Sequence, residues 1–325
     1  MHQSQRRRYL FATAAVLIAP SARAQASVHR IVWLSAVSEP GSAPFLKTFL
    51  QGMEALGYVK GRNLVLDARY GNDSREALDR LAVEAAALNP AVVVTQGTAL
   101  HAARQVVGNI PVVFGFSGDP VELGVVQSLA RPGGRFTGVT FLAYELSAKR
   151  VELIREVLPG AKRIAVLSNP RHVGDRKEFE ATHAAAAKLG FEVTHHPAGD
   201  PAELERALSG AAAARAEAIV IHPDGLMVQQ RDAIARFSLR NRIPAVSGWA
   251  SIAEGGALMT YGPVQQEAYR RLAYYVDRIL RGANPGDLPV ELPAKLEMVV
   301  NLKSAKALGL AIPQSILVRA DRVIQ

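Results

Sequence analysis

The sequence predicts an α/β protein of two similar lobes, each a parallel sheet with helices on both faces. Three observations predict it. Short Val/Ile-rich runs alternate with Ala/Leu-rich helical stretches, the order expected of strands buried on both sides. The second half repeats the first: Ile31 begins a strand and Gly57 ends the following helix, as Ile164 and Gly190 do later, with the same spacing. A second matched pair follows, Ile110-Pro111-Val112-Val113-Phe114-Gly115 against Ile243-Pro244-Ala245-Val246-Ser247-Gly248.

Before the first strand stands a leader. Arg6-Arg7-Arg8 form a positive start, Tyr9–Ala19 is almost wholly apolar, and Pro20, Ser21 and Ala22-Arg23-Ala24 supply a small-residue cleavage site. This is the layout of an export signal over residues 1–24, and the apolar run is too short to span a bilayer. Gln5–Leu10 also fits a twin-arginine pattern, so the Sec and twin-arginine routes both stay open. The chain has no cysteine, hence no lipidation site, disulfide or thiolate metal site. A soluble periplasmic protein is expected. Removing the leader takes four arginines and no acid, lowering the formal charge from +9 to +5. No basic block with interleaved aromatics exists, so nucleic acid is not an expected partner.

In the first half, strands are predicted at Arg30–Leu34, Leu64–Tyr70, Ala91–Thr95, Ile110–Phe114 and Thr137–Thr140. Helices are predicted at Pro44–Leu56, Arg75–Leu88 and Thr98–Val107. Gly57 and Gly190 stand where a helix needs a left-handed cap. In the second half the strands begin at Ile164, Ala218 and Ala257. Ligands of parallel sheets bind outside the carboxyl ends of the strands, so the segments that follow the strands are the site candidates.

Those segments carry Ser35, Ser38, Gly97, Thr98, Ser117 and Asp119 from the first half, and Asn169, Asp224, Trp249 and Tyr261 from the second. Gly97-Thr98 opens a helix, where free N–H groups beside a hydroxyl suit a carboxylate; Thr98 acting only as a cap is the alternative. Ser35 and Ser38 are further donors. Asp119 and Asp224 are the acids best placed for a ligand ammonium, with helix capping and turn formation as competing roles. Asn169 suits either end of a ligand. Trp249 lies in a loop and offers a face for a flat or apolar moiety, with Phe116, Tyr144 and Tyr261 as weaker versions of the same idea.

No catalytic constellation is visible. Gly115-Phe116-Ser117-Gly118-Asp119 breaks the nucleophile-elbow pattern at its last position, and there is no dinucleotide or phosphate loop. His195-His196 reads as a surface pair rather than a metal site, since neighbours on a strand face opposite ways. The run Arg150–Glu156 reads as a solvated helix face. Neither a cofactor nor a metal is expected.

The phrases Gly52–Tyr58 with Gly61–Leu64, Gly97-Thr98-Ala99, Asp119-Pro120-Val121, Ser128–Gly134, Thr137–Thr140, Tyr261-Gly262-Pro263 and Asn301–Leu310 occur in one order. That set resembles the substrate-binding proteins of an ABC-transporter family whose members include binders of tryptophan and other aromatic amino acids. The resemblance covers about Arg30 to Ile324. It implies a type I periplasmic binding fold, with two lobes joined by three crossovers around a cleft. Residues 28–140 plus 264–290 would form one lobe, and 141–263 plus 291–325 the other. Hinges are expected near Thr140–Leu146, Tyr261–Val264 and Leu288–Ala294. The implied function is a solute receptor that captures an amino acid or related carboxylate and docks on a permease, with permease and ATPase as separate chains. A sensory receptor for a signalling partner is the alternative, and a monomer is expected.

Overall fold

The computed structural model describes residues 28–325 apart from Leu142 and Val173; the leader lies outside the described residues. The first lobe runs β1 (His29–Ser35), α1 (Glu39–Ala55), β2 (Leu64–Tyr70), α2 (Arg75–Ala87), β3 (Val92–Gln96), α3 (Ala99–Val106), β4 (Val112–Phe116) and β5 (Phe136–Thr140). The chain then crosses into α4 (Ser147–Val157), β6 (Arg163–Ser168), α5 (Asp175–Lys188), β7 (Glu192–Pro197), α6 (Pro201–Ala213) and β8 (Ala218–Ile221). Next come α7 (Gly225–Gln229), α8 (Arg231–Asn241), β9 (Ala245–Ser247), α9 (Ala250–Glu254) and β10 (Met259–Pro263). After α10 (Gln265–Leu280) follow β11 (Leu296–Asn301), α11 (Leu302–Leu308), α12 (Gln314–Arg319) and β12 (Arg322–Ile324).

Among the described residues the first sheet has the order β2-β1-β3-β4-β5, all parallel, and the second contains β7-β6-β8-β9-β10 followed by β11 and β12. The two orders are the same, so the duplication read in the sequence is a duplication of topology. The departure is β11, which pairs antiparallel with β10, and β12, which extends that edge. Gly57 and Gly190 take the left-handed conformation predicted of them, at φ 92° and 74°.

Alternation within the strands builds a core on each face of the first sheet. Val32 and Leu34 face Leu78 and Ala82 of α2 and Leu100 and Ala103 of α3. Ile31 and Trp33 face the other way, onto Phe49 and Met53 of α1 and Leu272 and Val276 of α10. Fully burying a side chain such as Phe49 contributes about 1.5–3 kcal/mol. Helices α1 and α10 approach closely because Gly52 carries no side chain; a Cβ there would stand 2.8 Å from that of Ala273. Thus α10, which follows a strand of the second sheet, completes the core of the first.

The chain passes between lobes after β5, between β10 and α10, and again ahead of β11. At the third crossing Glu291 is pinned to β5, its N–H donating to the Gly138 carbonyl and its own carbonyl accepting from Thr140 N. No helix among the described residues is long and apolar enough to cross a membrane.

Several boundaries shift by a residue or more from the sequence reading, most of all at the start of α1. Helix α1 starts at Glu39 rather than Pro44, because Ser38 caps it and Pro40 fits the first turn; Pro44 then sits inside the helix. Strand β4 starts two residues late, at Val112, and reaches Phe116.

Candidate functional site

Strand order reverses between β1 and β3 in the first sheet and between β6 and β8 in the second. Loops near these two points approach one another: a Cβ on Gly225, after β8, would stand 3.2 Å from Asp73 Oδ1 and 3.3 Å from Val37 Cγ1, after β1. On the first lobe, Gln96 organises the floor. Its Oε1 accepts hydrogen bonds from Ser35 Oγ at 2.8 Å and Ser42 Oγ at 2.6 Å, and Ser42 in turn accepts from Trp33 Nε1 at 2.9 Å. The buried Tyr269 hydroxyl bonds to the Gln96 side chain, and burial raises its pKa well above the ordinary phenol range. Ser35 is thereby committed within its own lobe. Ser38 caps α1, accepting from Gly41 N at 3.4 Å.

At the start of α3, Gly97 adopts φ 64° and turns the chain into the helix. Leu100 and His101 return their N–H groups to the Gly97 and Thr98 carbonyls, which leaves the Thr98 and Ala99 N–H groups as the open donors of the first turn. The Thr98 hydroxyl makes no capping bond.

Asp73 joins the same wall from the loop between β2 and α2. Its backbone is left-handed at φ 57°, held by a 2.7 Å bond from its N–H to the Ala36 carbonyl. Its side chain is exposed, and desolvation by the surrounding protein together with the charge of Asp224 pushes its carboxyl up from the ordinary range.

On the second lobe, Asp224 is buried and caps α7. Its Oδ1 accepts from Leu226 N at 2.8 Å and from Asn169 Nδ2 at 2.9 Å, while Asn169 Oδ1 accepts from Arg171 N. Trp249 precedes α9, edge-on to Phe141 with ring centres 6.4 Å apart, and its buried Nε1 has no acceptor among the described residues. Tyr261 packs against the second lobe's core rather than joining these groups.

Beneath this wall lies a buried ionic network. Arg150 is fully buried, with Nη1 2.8 Å from Glu178 Oε1 and Nε donating to the Tyr261 carbonyl at 3.1 Å. His222 lies 3.4 Å from Asp175 and 3.1 Å from Thr182 Oγ1. The reading of Arg150–Glu156 as a solvated face therefore fails at Arg150. Its partner is 28 residues away, and helical spacing within one segment cannot show it.

The lobes touch. Ser117 Oγ meets His172 Nε2 at 2.5 Å, and His172 stacks on Phe116. Lys177 on α5 reaches Glu122 at 2.9 Å and Asp119 at 3.3 Å. Asp119 also accepts from Val121 N and Glu122 N, so it is both a cap and one end of an ion pair between lobes. The sequence reading missed Asp73 and Lys177, and it placed Gln96 and His172 in candidate segments after strands without singling them out. Asp73 and Gln96 carried a signal, since each stands just past or at the end of a predicted strand. The two histidines at 195 and 196 turn to opposite faces, His195 stacking on Phe179 and His196 lying beside Gly210.

Two doubly wound lobes meeting at their switch points make a bilobal binding protein. The chain belongs to the family described as ABC transporter substrate binding protein, whose pattern matches residues 30–324. It is 25% identical over 276 residues to a tyrosine-binding protein of Clostridioides difficile (strain R20291), covering 84% of this chain and 79% of that one. Among solved structures, a conserved domain protein from Vibrio cholerae is 27% identical with TM-score 0.86, covering 91% of this chain and all of that one. A Streptococcus pneumoniae ABC domain in complex with L-Trp also gives TM-score 0.86, at 24% identity, covering 92% of this chain and all of the other. The ligand-free, open structure of a Clostridium difficile substrate binding protein gives 0.68 at 23% identity, over 92% of this chain and all of that one.

Proposed function

We propose that this chain is the receptor of an ABC importer, capturing an amino acid, aromatic or closely related, between its lobes and delivering it to a membrane permease. The observation that carries this reading is the polarity of the cleft. Open N–H donors at Thr98 and Ala99 suit a carboxylate, whereas Asp73 and Asp224 have no basic side chain within salt-bridge distance among the described residues. An α-amino acid supplies both missing charges. Trp249 and Phe141 provide an aromatic wall for its side chain. The tyrosine-binding relative and the L-Trp complex support the same class.

In this reading the lobes are residues 28–140 plus 264–290 and residues 141–263 plus 291–325. They close about hinges at the three crossings. The direct ligand contacts are Asp73, Gly97, Thr98, Asn169, Asp224 and Trp249, with Ser35, Ser38, Ser117 and Asp119 shaping the loops and Tyr261 bordering the hinge. The receptor acts as a monomer in the periplasm after cleavage near Ala24, and its permease and ATPase are separate chains.

Calorimetry and thermal melting with L-tyrosine, L-tryptophan and L-phenylalanine test it. A ligand at 100 times its Kd adds about 2.7 kcal/mol to stability, a readily measured rise in Tm. If none of these, nor the other common amino acids, shifts the melt or gives heat, the amino-acid reading is lost.

A further inference from the structure

We propose that the first lobe carries a second ligand site, apart from the cleft, that takes the phosphoryl group of a small phosphomonoester. The site is an open pocket of about 750 Å³. Asn109 and Pro111, ahead of β4, and Arg135, ahead of β5, line it. It therefore sits at the amino ends of those strands, whereas the cleft loops follow the carboxyl ends. This inference does not depend on the receptor reading.

Two cations border the pocket without an anion. Among the described residues Arg104 of α3 and Arg135 bond only to neutral groups. Arg104 Nη1 donates to the Leu123 carbonyl at 2.5 Å, and Arg135 Nη1 donates to Asn109 Oδ1 at 3.5 Å. The first bond holds the Arg104 guanidinium in place before any ligand arrives, which reduces the ordering cost of binding. Its Nη2 stands 3.5 Å from where a Cβ on Gly124 would lie, a position that glycine leaves open.

The wall beside them is bare backbone. Gly133 N donates to the Gly286 carbonyl at 3.1 Å, and a Cβ on Gly286 would stand 2.8 Å from both N and O of Gly134. Two loops thus meet backbone to backbone. The N–H groups of Gly134 and Arg135 donate to no protein group among the described residues, and a Cβ at position 134 would meet nothing within 4 Å. Open N–H groups beside guanidinium forks are the donors that phosphate oxygens accept from.

Charge and size narrow the ligand. The acid in the lining, Asp287, accepts from Asn284 Nδ2 at 3.2 Å and opposes an anion. A phosphomonoester carries about −1.5 to −2 at neutral pH and answers both guanidiniums, whereas a monocarboxylate answers one. The volume falls in the range of roughly 300–1,000 Å³ usual for small-molecule sites, which leaves room for the alcohol part of the ester.

The test is a titration of the ¹⁵N-labelled protein with glycerol 3-phosphate at fixed ionic strength, with glycerol and succinate as controls. Backbone and arginine side-chain N–H signals are followed by NMR. The phosphate ester should shift Gly134, Arg104 and Arg135 along one saturable curve, glycerol should shift none of them, and succinate should bind more weakly. Arg104→Gln and Arg135→Gln should each raise the Kd about tenfold. Asp287→Asn should lower it about threefold, and Arg240→Gln, which removes an exposed charge from the second lobe, should leave it unchanged. Shifts that never saturate, or an Arg135→Gln Kd equal to that of Arg240→Gln, would overturn the site. Succinate binding as tightly as the phosphate ester would overturn its assignment to phosphoryl groups. Should an arginine variant fail to fold, Asp287→Asn still decides, since an unchanged Kd there places the anion elsewhere.

Discussion

The Ser117 hydroxyl and His172 Nε2 stand 2.5 Å apart and belong to different lobes. Both side chains are buried in the closed form, so opening exchanges their bond for water and closing restores it. Leaving a buried hydroxyl without its partner costs about 1–3 kcal/mol. We expect His172→Ala to weaken ligand binding about tenfold through faster release, with the melting temperature of the empty protein little changed. Stopped-flow dissociation checks this; an unaltered off-rate would remove His172 from the closing contact.

The Lys177 pair with Asp119 and Glu122 is open to solvent, so its contribution is screened by salt. Lys177→Ala should leave affinity nearly unchanged at high salt and lower it modestly at low salt. Calorimetry at two ionic strengths reads the difference, and parallel salt dependence in both proteins would contradict it.

Glycine at 225 is required by the opposite lobe rather than by its own. A Cβ there would lie 3.2 Å from Asp73 Oδ1 and 3.3 Å from Val37 Cγ1, both across the cleft. Gly225→Val should wedge the lobes apart, lowering affinity at least tenfold while the empty protein melts normally. Small-angle scattering should then find no compaction on adding ligand.

Arg150 and Glu178 differ from the exposed Lys177 pair, being 0% and 3% exposed. Burial lowers the Arg150 pKa and the adjacent Glu178 charge opposes that shift. Removing one partner of such a pair typically costs about 3–5 kcal/mol, because the other charge is left uncompensated. Glu178→Ala should therefore destabilise the protein by that order in urea unfolding. A loss below 1 kcal/mol would mean that water or another acid takes over.

His101 sets a pH dependence of its own. Its pKa is lowered to about 4 by burial and by the nearby His172, Arg75 and Arg104, and its buried Nε2 has no partner among the described residues. A base with a lowered folded pKa loses stability as pH falls from about 6.5 towards 4, because the unfolded chain binds the extra proton. The slope from this one group is at most about 1.4 kcal/mol per pH unit. His101→Phe should flatten the stability–pH curve in that window, and an unchanged slope would assign the effect elsewhere.

The topology was legible because both halves repeat the same strand–helix order, and the buried strands β1, β3 and β4 read as continuous apolar runs. Strands β11 and β12 were not. β11 follows a loop without a preceding helix, and β12 has three residues, so neither shows a period. In the candidate site, Thr98, Asn169, Asp224 and Trp249 stood out as candidates because each follows a strand. Asp73 and Asn72 take left-handed backbone without glycine, which no spacing announces. Lys177 and His172 matter only across the cleft, and a contact between lobes leaves no local signature in either.

Helix α10 has a consequence for how the chain is made. Trp33, Phe49 and Met53 find their last cover in Leu272, Ala273 and Val276, which are synthesised more than two hundred residues later. The second sheet likewise waits for β11 and β12. Vectorial synthesis therefore delivers neither lobe early: the amino-terminal half leaves the ribosome with an apolar face uncovered, and the two lobes reach completion almost together.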